Sequence, residues 1–261
     1  MNVKAKKHLG QHFLINTSVC EKIAGALPVF TTPMNVLEIG PGKGAITCFF
    51  LKRPDIDFYA FELDVESIQY LKTAHPDFNR LYNQDFLKIN FSEYFKDAPF
   101  CVVGNFPYNI SSQILFKCLE AKHQIPIILG MFQKEVARRI AAPPGSKEYG
   151  ILSVLMQAYY EVSYLFTVEP GAFYPAPKVK SGVIRCVRNN QVELGCDERL
   201  FVNVVKAAFN QRRKTLRNSI RAVFPNALLT DEFASMRPEQ LSVASFIKLT
   251  KLIESYVNEK T

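Results

Sequence analysis

No apolar run in the chain is long enough to cross a bilayer, and the start Met1-Asn2-Val3-Lys4 lacks the hydrophobic stretch of a secretory signal. The expected location is therefore the cytoplasm. The six cysteines (Cys20, Cys48, Cys101, Cys118, Cys186, Cys196) show neither a CxxC pair nor a Cys/His spacing that would hold zinc. They read as reduced core thiols, so neither disulfides nor a metal is expected. Acidic residues are missing between Leu200 and Thr230, where six Lys or Arg fall. Strand signals also vanish from about residue 189, so the chain divides into two kinds of architecture.

Of the 261 residues, 48% are hydrophobic, enough for a proper core, and the net charge of +8 is compatible with a polyanionic partner. Residues 35–39 read as a strand, followed by Gly40-Pro41-Gly42-Lys43-Gly44 and an amphipathic helix over 45–52. Strand, glycine turn and helix form the arrangement in which backbone closely approaches a nucleotide-like ligand. Gly40, Gly42 and Ala45 loosely satisfy a dinucleotide fingerprint, but alternate glycines with Glu38 inside the strand fit an S-adenosylmethionine loop better. Such a carboxylate gains little from a pyrophosphate and more from a sulfonium cation. A second strand, 57–63, ends in Glu62, about twenty residues past the loop, where an acid takes ribose hydroxyls. Asp85, at the next strand end, is placed to accept from an adenine amino group.

The apolar run 100–103 reads as a buried strand that ends at Gly104 and opens into Asn105-Phe106-Pro107-Tyr108. The Asn side chain and a backbone carbonyl can accept from an exocyclic amine, Pro stiffens the turn, and Tyr offers a face for stacking. Further strands are expected at 125–131, 162–168 and 183–187, and helices at 19–27 (capped by Ser18), 65–74, 112–121, 133–140 and 149–160. Phe173-Tyr174-Pro175-Ala176-Pro177-Lys178 reads as a rigid aromatic loop. The total of roughly seven strands predicts an α/β sheet, mostly parallel, ending in an antiparallel hairpin.

Beyond that sheet, Phe201, Val204, Val205, Ala208 and Phe209 recur at helical spacing. Arg212, Arg213, Lys214, Arg217 and Arg221 follow. If helical, Arg213, Arg217 and Arg221 share one face, where their repulsion calls for an external anion such as a phosphate backbone. The N-terminal arm adds Lys6 and Lys7 ahead of Gln11-His12-Phe13-Leu14, whose apolar residues indicate that this part packs on something.

Leu9-Gly10-Gln11-His12-Phe13-Leu14, Glu38-Ile39-Gly40-Pro41-Gly42, Asn105-Phe106-Pro107-Tyr108-Asn109-Ile110-Ser111 and Phe209-Asn210-Gln211-Arg212-Arg213-Lys214-Thr215-Leu216 resemble the KsgA (RsmA) family. Members of that family are small-subunit rRNA adenine N6,N6-dimethyltransferases. The match spans nearly the whole chain. Phe106 stands where the family usually has Leu, and His12 where relatives often have Asn.

The resemblance implies a class I methyltransferase domain over residues 1–188 and a smaller helical RNA-recognition domain over 189–261. The implied cofactor is S-adenosylmethionine, contacted by His12, Leu14, Gly40, Glu62, Asp85 and Asn105, with a backbone contact expected at His12. The implied substrate is 16S rRNA in an assembling small subunit, where two adjacent adenines of a hairpin loop near the 3′ end are each methylated twice. The enzyme would act as a monomer, with no metal and no membrane.

An adenine N6 lone pair is delocalised into the ring, so the amine must be partly rehybridised before attack. The Asn105 side-chain oxygen and Phe106 carbonyl are expected to hold its two hydrogens out of plane, with Tyr108 stacking on the base and Phe173 closing the other side. Lys6, Lys7, Arg212, Arg213, Lys214, Arg217 and Arg221 would contact RNA phosphates. Two alternatives stand beside this reading: an Erm-like large-subunit rRNA methyltransferase, which shares the Asn-x-Pro-Tyr signature, and an RNA-binding factor that keeps the fold without catalysis.

Overall fold

The computed structural model describes residues 3–191, 193–225 and 227–258. Its strands in chain order are β1 (Phe13–Leu14), β2 (Met34–Ile39), β3 (Ile56–Glu62), β4 (Leu81–Asn83), β5 (Phe100–Asn105), β6 (Ile127–Gln133), β7 (Tyr160–Val168), β8 (Phe173–Tyr174) and β9 (Ser181–Arg188). Seven of them form one sheet in the order β4-β3-β2-β5-β6-β9-β7. Pairing is parallel from β4 across to β6. β9 then runs antiparallel to β6, from Ile127 opposite Val187 to Gln133 opposite Ser181.

Continuous apolar runs make the central strands, because both faces of a parallel sheet are covered. Phe100, Cys101, Val102 and Val103 are fully buried, as are Val36 and Leu37. The chain builds outward from β2 through β3 to β4, then returns to lay β5 on the other side of β2. That reversal opens a crevice at the carboxyl ends of β2 and β5, where open α/β sheets place their ligands.

A two-stranded ribbon ties the N-terminal arm down, with Phe13 opposite Tyr174 and Leu14 opposite Phe173. The N–H groups of Ile15 and Asn16 both donate to the Ala172 carbonyl. This ribbon fixes where the next helix begins: Thr17–Gly25 is capped by the Asn16 side chain, which accepts from the Val19 N–H, and not by Ser18. The helix after the glycine turn, Thr47–Phe50, is shorter than the expected span 45–52.

The chain forms two compact units. The first runs to Ala137 and resumes over Ser163–Arg188. The second takes Arg138–Val162 together with the described residues from Asn189 onward, so the segment 138–162 groups with the C-terminal helices. Within this second unit, Glu198–Asn210 buries Phe201, Val204, Val205, Ala207 and Ala208, and Phe209 meets Tyr149 edge-on and Phe246 in a stack.

The basic segment departs from expectation. The Gln211 carbonyl accepts from the Lys214 N–H in a turn, Thr215 is extended, and a new helix starts at Leu216 and ends at Arg221. Arg212, Arg213 and Lys214 therefore lie outside it, and no continuous face carries Arg213, Arg217 and Arg221. Arg217 and Arg221 remain four apart on the helix, while the Arg212 guanidinium donates to the Lys147 carbonyl. Among the described residues no helix is long and apolar enough to cross a membrane.

Candidate active site

Four parallel strands end at one place, and each brings a polar side chain there. Glu38 sits near the end of β2, Glu62 ends β3, Asp85 follows β4, and Asn105 ends β5. All four line a cavity of about 230 Å³, together with arm residues 8–14, the glycine turn and the residues up to Ile110. Gly40 and Gly42 adopt φ of +64° and +56°, the left-handed region that glycine enters without penalty. At Gly42 a side chain would also meet the Phe13 ring at 3.0 Å.

Glu62 organises the turn. Its carboxylate accepts the Gly42 N–H at 2.9 Å through one oxygen and those of Leu63 and Asp64, at 2.8 and 2.9 Å, through the other. Burial raises its pKa against the pull of these donors. Glu38 is 2% exposed, and burial pushes its carboxyl up to about 8, although the Thr47 hydroxyl donates to it at 2.5 Å. Burial thus favours a neutral Glu38 near pH 7, whereas a cation beside it would favour the ionised form. Asp85 accepts the Leu87 N–H at 3.0 Å.

At the end of β5, the Asn105 amide nitrogen donates to the His12 carbonyl at 2.9 Å, which leaves the amide oxygen free to face elsewhere. The Phe106 ring is 1% exposed and packs edge-on against Phe132, over Gly104 and Gly130, so its side chain belongs to the core. The Tyr108 hydroxyl hydrogen-bonds Ser181 at 2.6 Å, and burial raises its pKa, opposed by that bond. Its ring stacks on the His12 imidazole, with centroids 5.8 Å apart, while His12 Nδ1 meets the Pro175 carbonyl at 2.8 Å. The His12 side chain is thus engaged as well as its backbone.

The structure gathers His12, Leu14, Gly40, Glu62, Asp85, Asn105, Phe106, Pro107 and Tyr108 around one cavity. Phe173 is not among the lining residues. It is 3% exposed, opposite Leu14 in the ribbon and within the hydrophobic core, and the exposed aromatic of that strand is Tyr174 at 69%. Lys6 is likewise engaged inside the molecule: its ammonium pairs with Asp64 and, at 3.2 Å, with Glu66. Lys7 opens a short 3₁₀ turn, Lys7–Leu9. Sequence reasoning missed Gln11 and Asp64. Asp64 carried a readable signal, an Asp immediately before a helix, where it caps. Among the described residues no group of three or more His, Cys, Asp or Glu is arranged to hold a metal ion.

The family model described as "Ribosomal RNA adenine dimethylase" matches residues 2–255. The chain belongs to this family. A relative from Bacteroides thetaiotaomicron, "Ribosomal RNA small subunit methyltransferase A", is 53% identical over 99% of this chain and 97% of its own. One of the same name from Flavobacterium johnsoniae is 51% identical over 97% of each chain. The chain shares its fold with a dimethyladenosine transferase from Plasmodium falciparum, which superposes with a TM-score of 0.76 at 23% identity, covering 95% of this chain and 98% of that one. The 23S rRNA methyltransferase ErmE superposes at 0.69 with 25% identity, covering 93% and 99%. The α/β fold is that of class I S-adenosylmethionine-dependent methyltransferases.

Proposed function

We propose that this protein transfers methyl groups from S-adenosylmethionine to N6 of two adjacent adenines in a hairpin loop near the 3′ end of 16S rRNA, giving N6,N6-dimethyladenosines during small-subunit assembly. The observation that carries the reading is the convergence of Glu62, Asp85 and Asn105 on one cavity at the point where the strand order reverses. The donor set fits an adenosyl sulfonium compound: acids for ribose hydroxyls and an adenine amine, and the buried Glu38 for positive charge.

Glu62 would hold the ribose, Asp85 the cofactor's adenine, and Gly40, His12, Leu14 and Asn105 the remainder. When bound, S-adenosylmethionine supplies an electrophilic methyl group. Asn105 Oδ1 and the Phe106 carbonyl accept the two hydrogens of the target N6 before the first transfer, and one of them accepts the single hydrogen left before the second, drawing the lone pair out of conjugation; each transfer releases one N6 proton to solvent. Pro107 stiffens the turn, and Tyr108 supports the flat base. Catalysis on this account is positioning, with no base needed before attack. The target adenine must unstack to enter, which costs less in a loop than in a duplex. Lys7, Arg212, Arg213, Lys214, Arg217 and Arg221 contribute phosphate contacts, and the enzyme works in the cytoplasm as a monomer without a metal.

An Erm-like large-subunit activity is the competing reading. The small-subunit relatives at 51–53% identity weigh against it, compared with 25% for ErmE. Primer extension on rRNA from a strain lacking this gene separates the two. The reading predicts an unmethylated small-subunit loop, and loss of methylation in large-subunit RNA alone would overturn it.

A further inference from the structure

Asp64 has no place among the residues that hold cofactor or substrate, yet it is one of the most heavily used side chains in the first unit. It is 2% exposed and caps the helix Val65–Ala74, accepting from the Glu66 N–H at 3.3 Å and the Ser67 hydroxyl at 2.8 Å. Two further donors reach it from the N-terminal arm: the Lys6 ammonium and Gln11 Nε2, the latter at 3.3 Å. Gln11 also closes the arm on itself, since its Oε1 accepts the Lys6 backbone N–H at 2.8 Å. Burial works against the Asp64 carboxylate, but these hydrogen bonds hold its pKa below the usual range, so the latch is charged at neutral pH.

Immediately after Gln11 comes His12, whose carbonyl receives the Asn105 amide nitrogen. A carbonyl only accepts, so this contact forbids the flipped amide and fixes which way Asn105 Oδ1 points. On its other side, the Asp64 N–H donates to Glu62 Oε1. One buried carboxylate residue therefore joins the acid at the end of β3 to the arm, and through the arm to the amide at the end of β5.

We propose that Asp64, acting through Lys6 and Gln11, is a positioning residue for methyl transfer: the latch holds the arm so that the His12 carbonyl sets the Asn105 amide for the target amine. This inference rests on the methyltransferase reading and gives Lys6 a role inside the protein in place of an RNA contact.

The test is single-turnover methyl transfer with enzyme in saturating excess over under-methylated small ribosomal subunits, at saturating S-adenosylmethionine. Lys6→Met should slow the transfer step about tenfold to a hundredfold, with RNA affinity unchanged and Lys6→Arg restoring most of the rate. Gln11→Leu, which keeps the charge pair, should show a smaller loss of the same kind. The deciding comparison is a double-mutant cycle: in an Asn105→Ala background, Lys6→Met should cost nothing further, because the amide it positions is gone. Penalties that multiply, or wild-type rates in both arm variants, overturn the assignment. Absence of transfer by the wild-type protein under the same conditions counts against the methyltransferase reading itself.

Discussion

Asn105 and His12 lie 93 residues apart in the chain, and the amide of one donates to the backbone carbonyl of the other at 2.9 Å. The contact uses one N–H of the Asn105 amide and orients its oxygen, which the proposed function assigns to the target amine. Asn105→Ala should therefore retain RNA binding and, at saturating cofactor, lower kcat by about a hundredfold or more, the scale on which misplaced reacting groups cost rate. Equilibrium binding and single-turnover rates check this together, and unchanged turnover would remove Asn105 from its assigned role.

Glu38 makes stability depend on pH. Its carboxyl sits near 8 in the folded protein against an ordinary 4.5, so its favourable contribution is complete below pH 4.5 and is lost as pH rises through about 8. Replacement by the neutral isostere, Glu38→Gln, should change little at pH 5 and leave the ligand-free protein more stable than wild type at pH 9, by a few kcal/mol. Denaturant midpoints across that range measure the difference. A gap that fails to widen with pH contradicts the buried, neutral Glu38.

Phe106 fills core space beneath the site, and only its backbone is assigned to the chemistry. Phe106→Leu should lower stability by about 1–2 kcal/mol, between the costs of small and large core truncations, while turnover stays within about threefold of wild type. A large loss of turnover with normal stability would mean that the ring itself acts on the substrate.

Charge reversal at Arg213 and Arg217 should weaken RNA binding and flatten its salt dependence. Each phosphate contact removed lowers the slope of log K against log salt by about 0.7–0.9. The residues lie on a turn and on the helix after it, and either position can meet a phosphate. A slope that does not move places the phosphate contacts elsewhere.

Much of the first unit is legible in the sequence because its signals are local. Fully buried strands read as apolar runs, the glycine turn reads as alternate glycines, Glu62 and Asn105 end their strands, and Asp85 follows β4. What escaped depends on contacts distant in sequence. The β1–β8 ribbon, which buries Phe173 and moves the first helix cap to Asn16, joins residues about 160 apart. Lys6 read as a free cation because its partner, Asp64, lies 58 residues away. In the basic segment the spacing was helical, but Thr215 takes an extended conformation and restarts the helix, so spacing alone misplaced Arg213.

The central claim is most directly tested by transfer of tritium from methyl-labelled S-adenosylmethionine to small ribosomal subunits whose rRNA is under-methylated. The account predicts label in dimethyladenosine at two adjacent adenines of the 3′ hairpin loop, approaching four methyl groups per particle. No incorporation, or label found only in large-subunit RNA, would contradict it.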